Sequence, residues 1–314
     1  MSEPKHFAEY QLLRRITQSP TGDVYLARRD DDPFGEPVAL RRIYPEVAAH
    51  VVRDVLEEAI FAAQLNHPNM VTVREMGEAE GMLYFVLDYV HGASLRALVA
   101  GWRVVEPSRP FPWAPLCRAA VSLCEALEYC HALVDASGKP SGMVHQGLSP
   151  RSVMIGTNGA VKLVDFGRAR SVMRALVGPP SSPGSTLPAL PEFAAPEQVL
   201  SRPVNPRTDV YALALTLYTA LTGMQPFVAP GGPEAVATAV LKREVPNLRE
   251  RRPDVPRALR EAIHDSLQRE PGRRPKSMAE LRDRLWDALF DERQVVGLPE
   301  LGALVTQVFS LIDG

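Results

Sequence analysis

The sequence predicts an α+β fold in two lobes: a small strand-rich lobe carrying one helix, then a larger, mainly helical lobe. Three observations carry this. The first 90 residues hold several short runs of β-branched and aromatic residues between turn signals. From about residue 114, long apolar patterns at helical spacing replace them. The 314 residues, 46% hydrophobic and 23% charged, suffice for one large domain with a full-sized core. The expected division is residues 1–90 for the first lobe, 91–290 for the second, and 291–314 for a C-terminal helical tail packed on the second.

The elements follow in order. VYLARR (24–29), PVALRRI (37–43), MVTVREMG (70–77) and MLYFVLDYV (82–90) read as strands. DVLEEAIFAAQL (54–65) interrupts them with apolar residues at helical spacing. PLCRAAVSLCEALEYCHALV (115–134), DVYALALTLYTALTG (209–223) and MAELRDRLWDALF (278–290) read as long helices. DASGKPSG (135–142) and the Pro-, Ser- and Gly-rich stretch 178–191 read as loops, the second exposed and mobile. Ser181, Ser182, Ser185 and Thr186 there are candidate phosphorylation sites. In the tail, Leu301, Leu304, Val305, Val308 and Ile312 form a helical stripe after Pro299. That stripe suits docking on its own lobe, with partner binding as the alternative.

Bulk properties exclude some functions. A net charge of −2 gives no basis for nucleic acid as a partner. No apolar run reaches the length of a membrane span, and MSEPKHFAEY lacks a signal-peptide core. A cytoplasmic location is the expectation. Cys117, Cys124 and Cys130 lie on one predicted helix without metal-ligand spacing, as small apolar residues of a buried helix do.

A series of short motifs stands along the chain. Thr17 to Tyr25 is a turn with Gly22 near its end, and Val38-Ala39-Leu40-Arg41 follows on a strand. Then come His67-Pro68-Asn69, the segment His145-Gln146-Gly147-Leu148-Ser149-Pro150-Arg151-Ser152, and Asp165-Phe166-Gly167. Ala195-Pro196-Glu197, Asp209 near the head of a long helix, and Arg274 within Pro271-Gly272-Arg273-Arg274-Pro275 complete the set. In this order and spacing they resemble the eukaryotic-like (Hanks-type) bacterial Ser/Thr protein kinases, over about residues 10–290. The resemblance implies the two-lobed protein-kinase fold, with a strand-rich N-lobe containing the family's helix αC and a helical C-lobe.

Measured against the family pattern, the phosphate-handling positions depart and the fold-keeping positions stay. The glycine-rich loop retains only Gly22, and Pro20 removes an N–H donor where the backbone must approach phosphate. A plain β-hairpin fits this turn better. Arg41 replaces the strand lysine that pairs the phosphates, and its planar fork is not an equivalent point charge. Glu58 occupies the place of the αC glutamate, which suits a structural pair with Arg41. Gly147 replaces the aspartate that orients the substrate hydroxyl, and Ser152 replaces the asparagine that holds a metal. Gln146 removes the arginine that would bind a phosphorylated activation segment. Ser149 is not diagnostic, since some active bacterial members carry serine there.

The resemblance implies a vestigial adenine pocket from Val24, Ala39 and Met154, a hinge at Asp88-Tyr89-Val90, and Leu87 as gatekeeper. It implies that Asp165 holds a metal only together with a nucleotide. Structural roles fall to Glu58, His145, Phe166, Glu197, Asp209 and Arg274, with Glu197 and Arg274 as a buried pair and Asp209 bonded to the catalytic-loop backbone. The expectation is a pseudokinase rather than an enzyme: a scaffold or allosteric regulator of a protein partner, either an active kinase or a regulatory complex. No cofactor is expected beyond weak ATP and Mg²⁺. The alternative is an active or rewired Ser/Thr protein kinase with ATP-dependent phosphoryl transfer.

Overall fold

A computed structural model describes residues 6–19, 22–45, 65–134, 137–164 and 191–309. The helix expected at 54–65 with Glu58, the motif Asp165-Phe166-Gly167, Pro20 and nearly all of 178–191 lie outside the described residues. The described chain divides into two compact units, one drawn from 6–66 and 71–89, the other from 67–70, 90–164 and 191–309.

The first unit is a six-stranded antiparallel sheet in the order β1-β2-β3-β4-β6-β5. Its strands are β1 (His6–Phe7), β2 (Tyr10–Ser19), β3 (Gly22–Arg29), β4 (Val38–Ile43), β5 (Val73–Ala79) and β6 (Met82–Asp88). Alternation sends Val38 and Leu40 of β4 into a core with Phe7, Tyr10, Ala27, Tyr84 and Val86. The β2–β3 hairpin is tight because Gly22 sits against β4. A Cβ there would lie 1.9 Å from the carbonyl oxygen of Arg42, so only glycine fits.

The second unit contains a small sheet of β7 (Gly92–Ser94), β8 (Val153–Gly156) and β9 (Val161–Leu163), in that order. Around it stand α1 (Leu95–Val105), α2 (Trp113–His131), α3 (Pro196–Val199), α4 (Pro206–Thr222) and α5 (Pro233–Lys242). Then follow α6 (Leu248–Arg251), α7 (Arg257–Ser266), α8 (Met278–Asp291) and α9 (Leu298–Phe309). α4 is buried almost all round, from Thr208 to Leu221, as expected of a helix apolar on every face. It starts at an Asn205 cap, whose side chain accepts from the Arg207 amide at 2.9 Å, and stops at the left-handed Gly223.

α9 packs on the second unit through Leu301, Leu304, Val305 and Val308. Gly302 and Gly159 permit the approach: a Cβ on Gly302 would lie 2.4 Å from the Thr157 carbonyl oxygen, and one on Gly159 would lie 1.9 Å from that of Leu298. Phe309 meets the His91 ring edge-on at 5.1 Å. Among the described residues no helix is long and apolar enough to cross a membrane.

Candidate functional site

In the first unit, strand register decides which site positions meet. Val24 pairs with Arg41, and Ala39 lies between Leu26 and Leu87. Val24, Ala39, Arg41 and Leu87 therefore share the half-buried face of the sheet, opposite Leu40. Arg42, one residue on, turns to the other face and is buried. Its guanidinium reaches Asp23 at 3.1 Å and the Tyr25 hydroxyl at 2.9 Å, and lies over the rings of Phe7 and Tyr25. Two adjacent arginines thus do different work, and only the pleat separates them. Asp88, at the end of β6, is committed locally: it accepts from Arg74 Nε at 2.6 Å and from the Thr72 amide at 3.3 Å. Burial pushes its carboxyl up, but the Arg74 and Thr72 hydrogen bonds outweigh this and hold it below the usual range.

In the second unit the segment 145–152 is fixed from beneath by Asp209. This fully buried carboxylate accepts from the His145 amide at 2.8 Å, from the Gln146 amide at 3.0 Å, and faces His131 Nε2 at 2.8 Å. A carboxyl group this deeply buried needs several hydrogen-bond partners to offset its lost hydration. The loop then closes on itself. Gln146 takes a left-handed φ of 62°, and the Gly147 amide donates to His145 Nδ1 at 3.2 Å. Gln198, in the turn of α3, donates to the Gln146 carbonyl at 2.9 Å. At the far end the Ser152 hydroxyl donates to the Ser149 carbonyl at 2.9 Å and accepts from the Ser149 amide at 3.0 Å. Met154 lies on β8 opposite Ser94 and Lys162, and Val90 in the segment before β7.

Beside the loop, Glu197 and Arg274 form a two-pronged ion pair at 2.8 and 2.9 Å. Arg274 spends its remaining donors on the carbonyls of Gln268, Arg269 and Arg207, and stacks over Tyr211 at 4.8 Å. Thr208 ties this pair to the start of α4: its hydroxyl donates to Glu197 at 2.8 Å and accepts from the Asn205 amide at 3.2 Å.

Sequence reasoning missed His131, Arg42 and Thr208. His131 carried a signal. It falls on the same stripe of α2 as Cys124 and Leu127, both fully buried, so a polar side chain there requires a buried partner. Arg42 carried none, because alternation alone does not reveal which of two neighbouring arginines turns inward.

The model for the protein kinase domain matches residues 10–286. The chain belongs to the protein kinase family. It is 28% identical over 303 residues to the tyrosine-protein kinase MasK of Myxococcus xanthus, covering 95% of this chain and 46% of that protein. It is 30% identical over 298 residues to the Ser/Thr-protein kinase PknB of Mycolicibacterium smegmatis, covering 90% of this chain and 43% of the relative. The chain thus spans less than half the length of these curated relatives. Among solved structures, the Mycobacterium tuberculosis PknI kinase domain aligns with 92% of this chain and 99% of that one, at a TM-score of 0.68 and 25% identity.

These relatives overturn the expectation that the chain is not an enzyme. The proteins it matches over nine-tenths of its length are named as protein kinases. The physical reason is that phosphoryl transfer passes through a loose transition state with little covalent chemistry, so positioning and electrostatics dominate it. The kinase domain that supplies such positioning extends over residues 10–286. Kinases of this family generally work with ATP and Mg²⁺. Ser152, expected at the place of the metal-holding asparagine, does not fit that role: its hydroxyl is buried and already bonded on both sides to Ser149.

Proposed function

We propose that the chain is a Ser/Thr-type protein kinase domain that transfers phosphoryl groups from ATP slowly, through a rewired catalytic loop. The observation that carries this reading is the grip of Asp209 on the amides of His145 and Gln146. A loop held this firmly presents a fixed backbone to a substrate hydroxyl even though Gly147 offers no carboxylate. Positioning is the larger share of the work in this reaction, whereas a general base contributes typically about 10²–10⁴-fold. In the first unit the nucleotide side rests on Val24, Ala39, Leu87 and Asp88, with Arg41 as the cation in place of lysine.

A protein partner is part of the proposal. The near-neutral charge favours a protein over nucleic acid, and an active kinase or regulatory complex fits a domain whose fold-keeping residues are all present.

The test is incorporation of γ-phosphate from labelled ATP into the chain and into generic protein substrates. Wild type is expected to incorporate slowly, Gly147→Asp to raise the rate at least tenfold, and Asp209→Ala to abolish it. No incorporation by wild type or by Gly147→Asp, with both folded, refutes the reading.

A further inference from the structure

The helical unit contains a surface cavity of about 600 Å³, away from the catalytic loop and lined by α4, the segment 244–248, α6 and α7. That volume is in the range of small-molecule sites. Its apolar lining comes from Val245, Pro246, Leu248, Ile263 and Leu267, with Leu248 and Ile263 almost fully buried. Tyr218 also lines it from α4. This side chain is only 3% exposed, yet its hydroxyl makes no hydrogen bond among the described residues. The ring is packed away while the hydroxyl is open to the cavity, so the phenol offers a donor to an incoming acceptor there.

The charges around the cavity are uneven. Arg257 is neutralised by Glu261 at 2.7 Å. Arg260 donates to the Val255 carbonyl with one nitrogen and forms no ion pair among the described residues. Arg249 has only its backbone amide engaged, by Asn247. Against these stands Glu244, which has no ion pair there either. His264 adds an imidazole to the rim. Burial raises the Tyr218 phenol above its ordinary range, Arg251 pulling against this and Glu250 adding to it, so it remains a neutral donor.

We propose that this cavity binds a small amphiphilic anion: one acidic group on an apolar body. The acid accepts from the Tyr218 hydroxyl and meets Arg249 and Arg260, and the body lies against Leu248, Ile263 and Leu267. The site is independent of nucleotide binding and of phosphoryl transfer.

The probe is 8-anilinonaphthalene-1-sulfonate, a fluorescent aromatic sulfonate, titrated into the full chain with decanoate as competitor. One saturable site displaced by decanoate is expected. Tyr218→Phe, which keeps the ring and the fold, is expected to weaken binding about tenfold through loss of a charge-assisted hydrogen bond. Arg249→Glu, at an exposed position, is expected to weaken it further, and Val245→Trp to block it by filling the cavity. Melting curves matching wild type establish that each variant is folded. Absence of saturable binding to wild type overturns the proposal, as does binding unchanged by both Tyr218→Phe and Arg249→Glu.

Discussion

Replacing Arg274 by alanine strikes the most deeply satisfied ion pair of the helical unit. The Arg274 side chain is fully buried and that of Glu197 is 5% exposed, so solvent screens neither charge. The substitution deletes two charge-assisted bonds to Glu197, three bonds to backbone carbonyls and the stacking on Tyr211. It leaves the Glu197 carboxylate buried with the Thr208 hydroxyl as its remaining side-chain donor among the described residues. Breaking a buried pair from one side costs about 3–5 kcal/mol. With an unfolding entropy of about 2.1 cal/mol/K per residue, that lowers the melting temperature by roughly 5–8 °C for a chain of this size. The assay is thermal unfolding followed by far-ultraviolet circular dichroism, with the double variant Glu197→Gln/Arg274→Met as control. Removing both charges together avoids the uncompensated carboxylate, so the double variant is expected to melt above Arg274→Ala. Arg274→Ala melting within about a degree of wild type would show that the pair does not hold the unit together, and the reasoning would fail.

Other expectations follow from single contacts. Gly302→Leu drives a side chain toward the Thr157 carbonyl, so α9 should leave its seat, and limited proteolysis should then cut near residue 298 faster than in wild type. Burial pushes the thiols of Cys117 and Cys130 up to about 12 and that of Cys124 well above its ordinary value, so the native chain should leave all three unreactive to a disulfide reagent at pH 8 until denaturant is added. Asp88 is held below its unfolded range, so its contribution is present above about pH 4 and lost as pH falls through its lower folded value. Arg74→Ala should therefore narrow the stability gap from wild type as pH drops from 5 to 2, and a gap constant with pH would contradict this.

Much of the architecture follows from short-range pattern. The β-branched runs before residue 90 become β3, β4, β5 and β6 within a few residues, because alternation along a strand is a local property. The three long apolar patterns become α2, α4 and α8 for the same reason at a period of 3.6. The motifs identify the family because each is a contiguous string whose residue types serve one local turn. Other elements differ: β7, with three residues, is too short to show a period, whereas α1 and α7 carry a strong helical period and are legible in it.

Only the tertiary structure decides which of these residues meet. Asp209 joins His131, 78 positions earlier in the chain, to the amides of His145 and Gln146. Arg252 buries its guanidinium on the carbonyl of Phe111, 141 positions away, and on that of Leu221. The open hydroxyl of Tyr218 lies on a helix whose sequence reads as uniformly apolar core. Periodicity states which face of an element is buried. It carries no information on what that face is buried against, because a partner is selected by the packing of elements far apart in the chain. A buried polar group survives there only where that packing delivers its hydrogen-bond partner or leaves room for a ligand to do so.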